Sequence, residues 1–166
     1  AKKDPLALGF DAITDVPAAE DCARRQLQYW EQVIREDEIH PQPVAWAAIH
    51  WLHRNLPSPA QQISVVHGDY RTGNFLFNSD AEITGILDWE MCHLGDPLED
   101  LAWSLDPLWS RDEPGFAGRL IPQEEAIAIW EAESGLVCDR TAFQWWRVFV
   151  ALKALAIWIS SSEDFH

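Results

Sequence analysis

Basic residues are scarce in this sequence: 12 lysines and arginines stand against 27 aspartates and glutamates, a formal net charge of −15. A surface of that sign repels nucleic-acid phosphates, so no nucleic-acid partner is expected. Cysteine is sparse as well. Cys22, Cys92 and Cys138 are odd in number, far apart and form no CxxC pair, which fits a reducing, cytoplasmic setting better than a disulfide framework. The opening AKKDPLALGF lacks an apolar segment long enough for a signal peptide. The longest apolar stretch, 148–159, contains Lys153 and is short for a bilayer, so it reads as a buried helix and no membrane partner is expected. Internal repeats and low-complexity tracts are missing too.

What is present is bulk. Hydrophobic residues make up 48% of 166 residues and ten are tryptophan, enough for a single domain over 1–166 with a real core. Residues 1–16 read as a loop or linker. Pro17 to Glu38 reads as a helix, with Leu27, Trp30 and Ile34 on one face, until Pro41 and Pro43 break it. A second helix follows over 44–55, with Ala48, Trp51 and Leu52 on one side. Then come three short strands, ISVV (63–66), NFLFN (74–78) and EITGILDW (82–89), the last two joined by NSDAE as a hairpin turn. Asp96-Pro97 starts a helix over 98–105, and a proline- and glycine-bearing loop covers 107–118. Pro122 starts another helix, closed by Gly135, and Asp139 caps a long buried helix to about Ser160. The fold class is α+β, mostly helical, with one small β insertion.

That insertion carries the polar motif HGDYRTGN, residues 67–74, directly after a buried strand. Loops leaving strands are where reactive groups are commonly held. The hairpin delivers Asn74 at the start of one strand and Asp88 at the end of the other, and the preceding strand delivers Asp69 to the same rim. Two carboxylates and an amide oxygen at close range repel one another unless a cation lies between them. Magnesium suits such a set, because it takes few carboxylates and keeps waters and phosphate oxygens for the rest of its shell.

The pattern HGDYRTGN, with LDWE reached fourteen positions after Asn74 and then GDPLEDLAW, resembles the aminoglycoside phosphotransferase and choline kinase-like family, relatives of the protein kinases. The resemblance implies the C-terminal lobe of a protein kinase-like fold. It implies Asp69 as the base that accepts the substrate hydroxyl's proton, Asn74 and Asp88 as Mg2+ ligands, and ATP as phosphoryl donor. His67 then holds the backbone, and Asp100 braces the loop from the following helix. Gly68 and Gly73 permit tight turns. Arg71 either meets phosphate charge in the transition state or pairs with Glu90 or Asp96, and Asp96 caps its helix. His93 beside Cys92 has no second pair at zinc-ligand spacing. Trp145, Trp146 and Trp158 read as core, as do Trp103 and Trp109, although these two follow the hairpin and are placed to reach the acceptor.

The family's smaller lobe supplies a glycine-rich strand turn and a strand lysine for the nucleotide. Upstream of His67 neither is found, so the expectation is a fragment with an absent N-terminal lobe and negligible kinase activity of its own. A protein substrate is disfavoured: Asp88 is followed by W-E, and only eleven residues separate it from Asp100. The variant most resembles the branch associated with acyl-CoA dehydrogenases, which points to hydroxyacyl-CoA-type acceptors. The acidic balance weakly favours aminoglycoside- or choline-like amino alcohols. Two rivals stand beside the small-molecule phosphotransferase: a non-catalytic kinase-like binding module, and a metal-dependent hydrolase using Asp69, Asp88 and His67.

Overall fold

The computed structural model describes residue 5 and residues 7–111, 113 and 115–162. Of the linker expected over 1–16, residues 1–4 and 6 lie outside the described residues, and Phe10–Ala12 forms one 3-10 turn. Helix α1 (Cys22–Asp37) buries Leu27, Trp30 and Ile34, the stripe its spacing dictates. It starts five residues after Pro17, because Ala19 gives its carbonyl to the Ala60 N–H (3.1 Å) instead of to a helical turn. In α2 (Pro43–Arg54), Pro43 occupies the first turn, where its missing N–H costs nothing, and so opens the helix. Its buried stripe is Ala45, Ile49 and Leu52. Trp51, expected on the packed side with Leu52, is exposed, because it lies about 100° round the helix from Leu52.

Strand β1 (Ser64–Val66) pairs antiparallel with β4 (His93–Gly95), matching Val66 to His93. β4 had no strand signature: it is three residues long and ends in glycine. Because β1 has a single neighbour, its burial alternates, and Val65 is exposed rather than buried. β2 (Phe75–Phe77) and β3 (Ile83–Ile86) form the expected antiparallel pair, with a register irregularity between Leu76 and Phe77. The Asn78 Oδ1 accepts from Asp80 N and Glu82 N and closes their turn.

Helix α3 (Leu98–Ser104) follows. The loop expected over 107–118 contains α4 (Pro107–Ser110), capped by Asp106, and strand β5 (Phe116–Ala117), which pairs with β6 (Ile121–Pro122). Helix α5 (Gln123–Ser134) ends at Gly135, whose φ of 75° is the left-handed conformation that favours glycine. Helix α6 (Arg140–Ser162) begins where Asp139 Oδ1 accepts from Thr141 N and Ala142 N.

α6 is the axis of the core and packs on α1, α2 and α3. Trp145, Trp146 and Phe149 are fully buried on it, each ring against the other two. Burial of one such side chain stabilises by roughly 2–3 kcal/mol, and the indole N–H groups are not orphaned: Trp145 donates to Leu52 O and Trp146 to Asp96 Oδ2. By length and composition, Arg140–Ser161 is apolar enough to cross a membrane, beyond the shorter stretch expected; 61% of that apolar window is buried inside the fold, against the other helices.

Candidate active site

The loop from His67 to Asn74 sits between α3 and the β2–β3 pair, and its backbone is gripped by side chains from several elements. Asp100, on α3, accepts from His67 N at 2.7 Å and Gly68 N at 2.9 Å, one carboxylate oxygen to each. Burial raises the Asp100 pKa, and these two N–H groups act against that. Gly68 has φ 85°, and a Cβ there would lie 2.6 Å from the Met91 carbonyl oxygen, so the position demands glycine twice over. At Gly73 a side chain would meet the Arg71 guanidinium.

His67 links loop and hairpin. Its Nδ1 accepts from Asp69 N at 3.1 Å, so the ring proton sits on Nε2, which donates to Leu87 O at 2.9 Å. The Leu87 N–H in turn donates to Asn74 O at 2.8 Å. Asp88 therefore leaves the hairpin directly beside Asn74.

Asp69 is 5% exposed and its carboxylate is held by three side chains. Trp103 Nε1 donates to Oδ1 at 2.7 Å, Asn74 Nδ2 donates to Oδ2 at 2.7 Å, and Arg71 Nε lies 3.0 and 3.1 Å from the two oxygens. Asn74 Nδ2 also donates to Asp69 O at 2.9 Å, so both amide hydrogens are spent on one residue. The Asn74 side-chain oxygen has no donor among the described residues. Asp88 is exposed with φ 66°, a left-handed conformation that aspartate tolerates better than most residues, and no described group bonds its carboxylate. An amide oxygen and a carboxylate, both without donors, on adjacent ends of two paired strands suit a hard cation such as Mg2+.

Some of the remaining residues lie where the sequence put them, as Asp96 does, and others do not. Arg71 pairs with neither Glu90 nor Asp96; it takes Asp69 itself, and its guanidinium lies 4.8 Å from the Trp109 ring centroid. The motif places Arg71 two residues past Asp69, and Trp109 on the unexpected α4 supplies the ring that holds it there. Asp96 caps α3 by accepting from Leu98 N, and its other oxygen takes Trp146. Both His93 nitrogens are engaged, Nδ1 with Met91 O and Nε2 with Glu99. Trp103, read as core, is 2% exposed yet holds the central carboxylate; its place six residues past Pro97 on α3 was the available signal. Lys153 was read only as an interruption of an apolar run. It is 1% exposed, and its ammonium donates to Gly68 O at 2.6 Å and to Glu99 Oε1 at 2.9 Å. Burial alone would raise the Glu99 pKa, but the charges of Lys153 and His93 prevail and hold it at about 2.

In front of Asp69 opens a cleft of about 640 Å3. Trp103, Trp109 and Trp158 form aromatic walls, Arg71 and Arg111 contribute cations, and Asp69 is the one carboxylate among the described lining residues. Trp158, read as core, is 57% exposed and faces this cleft.

A buried acid at the floor of a cleft, flanked by an asparagine and a second acid on a hairpin, on a mainly helical scaffold, defines a kinase-like phosphotransferase fold. In agreement, a Ralstonia eutropha structure classed as an aminoglycoside phosphotransferase superposes with a TM-score of 0.79 at 21% identity, covering 96% of this chain and 50% of that one. A profile of the phosphotransferase enzyme family (APH) matches residues 4–136, and the chain belongs to that family. Among curated proteins it is similar to mouse acyl-CoA dehydrogenase family member 11, 30% identical over 136 residues, 78% of this chain and 18% of that protein. It is also similar to mouse acyl-CoA dehydrogenase family member 10, 40% identical over 85 residues, 51% of this chain and 8% of that protein. The chain thus spans less than a fifth of the length of these two relatives.

Proposed function

We propose that this chain is the C-terminal lobe of an ATP- and Mg2+-dependent phosphotransferase that phosphorylates a hydroxyl group of a small molecule. The observation that carries the reading is the Asp69–Asn74 pair: a carboxylate fixed at the floor of a cleft by an amide whose oxygen is left open for a cation. Asp69 accepts the proton of the acceptor hydroxyl as that oxygen bonds to the γ-phosphorus and the bond to the β-bridging oxygen breaks, releasing ADP. Such a base contributes roughly 10²–10⁴ in rate. Asn74 and Asp88 hold the Mg2+, which neutralises charge on the phosphates when bound. Trp103 and Asn74 keep the Asp69 oxygens aimed at the cleft, and Asp100 and His67 hold the loop. Arg71, already within reach of Asp69, turns to the transferring phosphate when the acceptor takes its place. The adenine and the remaining phosphate contacts belong to an N-terminal lobe that packs over the hairpin.

The cleft favours the hydroxyacyl-CoA-like acceptor over the amino alcohols. Among the described lining residues two arginines stand against one carboxylate, Asp69, which Arg71 pairs before any acceptor arrives, and the Trp109 face that would attract a quaternary ammonium then holds the Arg71 guanidinium. An apolar chain carrying an anionic group fits these walls, whereas the net charge of the whole surface says little about this one place. The hydrolase alternative loses support because both His67 nitrogens are committed to the backbone.

Manganese titration of the chain by paramagnetic line broadening tests the metal half. Broadening centred on Asn74 and Asp88, and lost in Asp88→Ala, is the expected result; an Asp88→Ala protein that behaves as wild type would favour the non-catalytic module. In a protein that includes the N-terminal lobe, Asp69→Asn should lower turnover about 10²-fold or more while sparing ATP binding. Full activity in that variant would remove Asp69 from the role of base.

A further inference from the structure

We propose that Lys153 is a positioning residue for the Asp69 loop, a clamp that fixes the peptide before Asp69 and the indole that holds its carboxylate. The proposal rests on the reading of Asp69 as the base only for its kinetic consequence; the clamp itself is a matter of contacts. Gly68 is held from both sides. Its N–H goes to Asp100 on α3, and its carbonyl accepts from Lys153 on α6 at 2.6 Å. The positive φ at Gly68 and the close approach of Met91 leave this peptide little room to settle elsewhere. The same ammonium lies 5.1 Å from the ring centroid of Trp103, whose N–H donates to Asp69, and 5.5 Å from that of Trp30. Lys153 thus reaches Asp69 by two routes, through the backbone and through the face of Trp103.

The cation is anchored in turn. Glu99 is 0% exposed, gives Oε1 to Lys153 and Oε2 to His93, and has no solvent to share its charge. A buried ion pair is commonly no more stabilising than apolar residues of the same volume, because desolvation cancels most of the attraction. Stability alone therefore gives α6 little reason to carry a lysine among Trp145, Phe149 and Leu152. Orientation gives one: the ammonium is a donor that apolar side chains cannot replace, and it sits where the loop backbone offers an acceptor.

The test is amide exchange and indole NMR on the 15N-labelled chain, with the Trp103 indole resonance assigned by Trp103→Phe. The variants are Lys153→Arg and the double variant Glu99→Gln/Lys153→Met, which removes both charges so that no carboxylate is stranded in the core. In the double variant, exchange at Gly68 and Asp69 should quicken by roughly 10–100-fold, the loss of one or two buried hydrogen bonds. The Trp103 indole proton should move upfield as its bond to Asp69 loosens, while amides of Trp145 and Phe149 on α6 stay protected. Lys153→Arg should fall between wild type and double variant. A loop and indole that stay at their wild-type values, or a loss of protection spread evenly over α6, would overturn the clamp. Should the double variant not fold, the same contrast between loop and α6 in Lys153→Arg decides. In the lobe-complete enzyme the double variant should lower kcat about tenfold or more with the KM for ATP unchanged. Manganese broadening at Asn74 separates the two readings: a loosened loop with no manganese site leaves the clamp standing and sinks the phosphotransferase, and the reverse sinks only the clamp.

Discussion

Asp69, which lines the cleft, and Asp88, just past the β2–β3 hairpin, lie in opposite surroundings. Asp69 is 5% exposed, its carboxylate meets three N–H donors, and α3 and α6 stand behind its loop. Asp88 is exposed, sits at φ 66° and has no partner among the described residues. Around it the hairpin leaves Leu76, Phe77, Ile83, Leu87 and Trp89 exposed, whereas the bundle gathers Leu27, Trp30, Ile34, Ile49, Leu52, Trp145, Trp146 and Phe149 into one buried core. The buried half is organised before any ligand arrives, as the proposed role of Asp69 as a base would require. The exposed half has the oxygens but not the order, and a cation with its phosphates would supply it.

The widest gap between the halves should show in stability. Asp100→Ala removes the acceptor for two N–H groups at the start of the buried loop, and each stranded donor costs about 1–3 kcal/mol. Urea unfolding should therefore show a loss of roughly 2–5 kcal/mol. Asp88→Asn keeps a side chain tolerant of positive φ and strands nothing, so its stability should stay within about 0.5 kcal/mol of wild type while manganese affinity falls. Equal losses in the two variants would erase the distinction between the halves.

The halves also differ in how far the sequence revealed them. The exposed half was legible because its signals are local: HGDYRTGN, the NSDAE turn and LDW lie within one run, and the hairpin that pairs them forms as the pattern demands. The long helix, its Asp139 cap and the Gly135 stop were legible for the same reason. What was hidden depends on contacts distant in sequence. Lys153 meets Gly68 across 85 positions, and Trp103 meets Asp69 across 34. Strand β4 exists because β1 offers it an edge, and Arg71 rests where α4 places Trp109. A lysine in an apolar helix reads as a flaw until the carbonyl it serves is folded against it.

A smaller effect should follow pH. Burial disfavours the charged form of His93, but Glu99 prevails and raises its pKa above the ordinary 6.5, and both ring nitrogens face acceptors. The groups facing the ring are Glu99 and, behind it, Lys153, whose charge acts the other way. A pKa raised on folding stabilises in full below 6.5 and loses that contribution as pH climbs through the raised value. Tm should therefore decline by a few degrees as pH rises above about 6.5, and the decline should be absent in His93→Gln. The alkaline side is the cleaner one. In acid, the loss of Glu99's contribution as pH falls from 4.5 toward about 2 is opposed by Asp96 and Asp100, whose pKa values burial raises.

The finest contrast lies in the thiols, one in the hairpin region and two in the bundle. Cys92 is exposed just after the hairpin, whereas Cys22 on α1 and Cys138 before α6 are buried. Burial pushes the Cys22 thiol up to about 11 and raises that of Cys138, so at neutral pH neither offers the thiolate that attacks a disulfide reagent. Titration of the folded chain with an aromatic disulfide should find one fast thiol, lost in Cys92→Ser, and the other two only on unfolding. In Asp100→Ala, whose loss falls on the loop and spreads to the core that α3 shares, the slow thiols should react sooner; in Asp88→Asn their rate should stay as in wild type. Slow thiols that quicken in Asp88→Asn instead would mean that the exposed half braces the bundle after all.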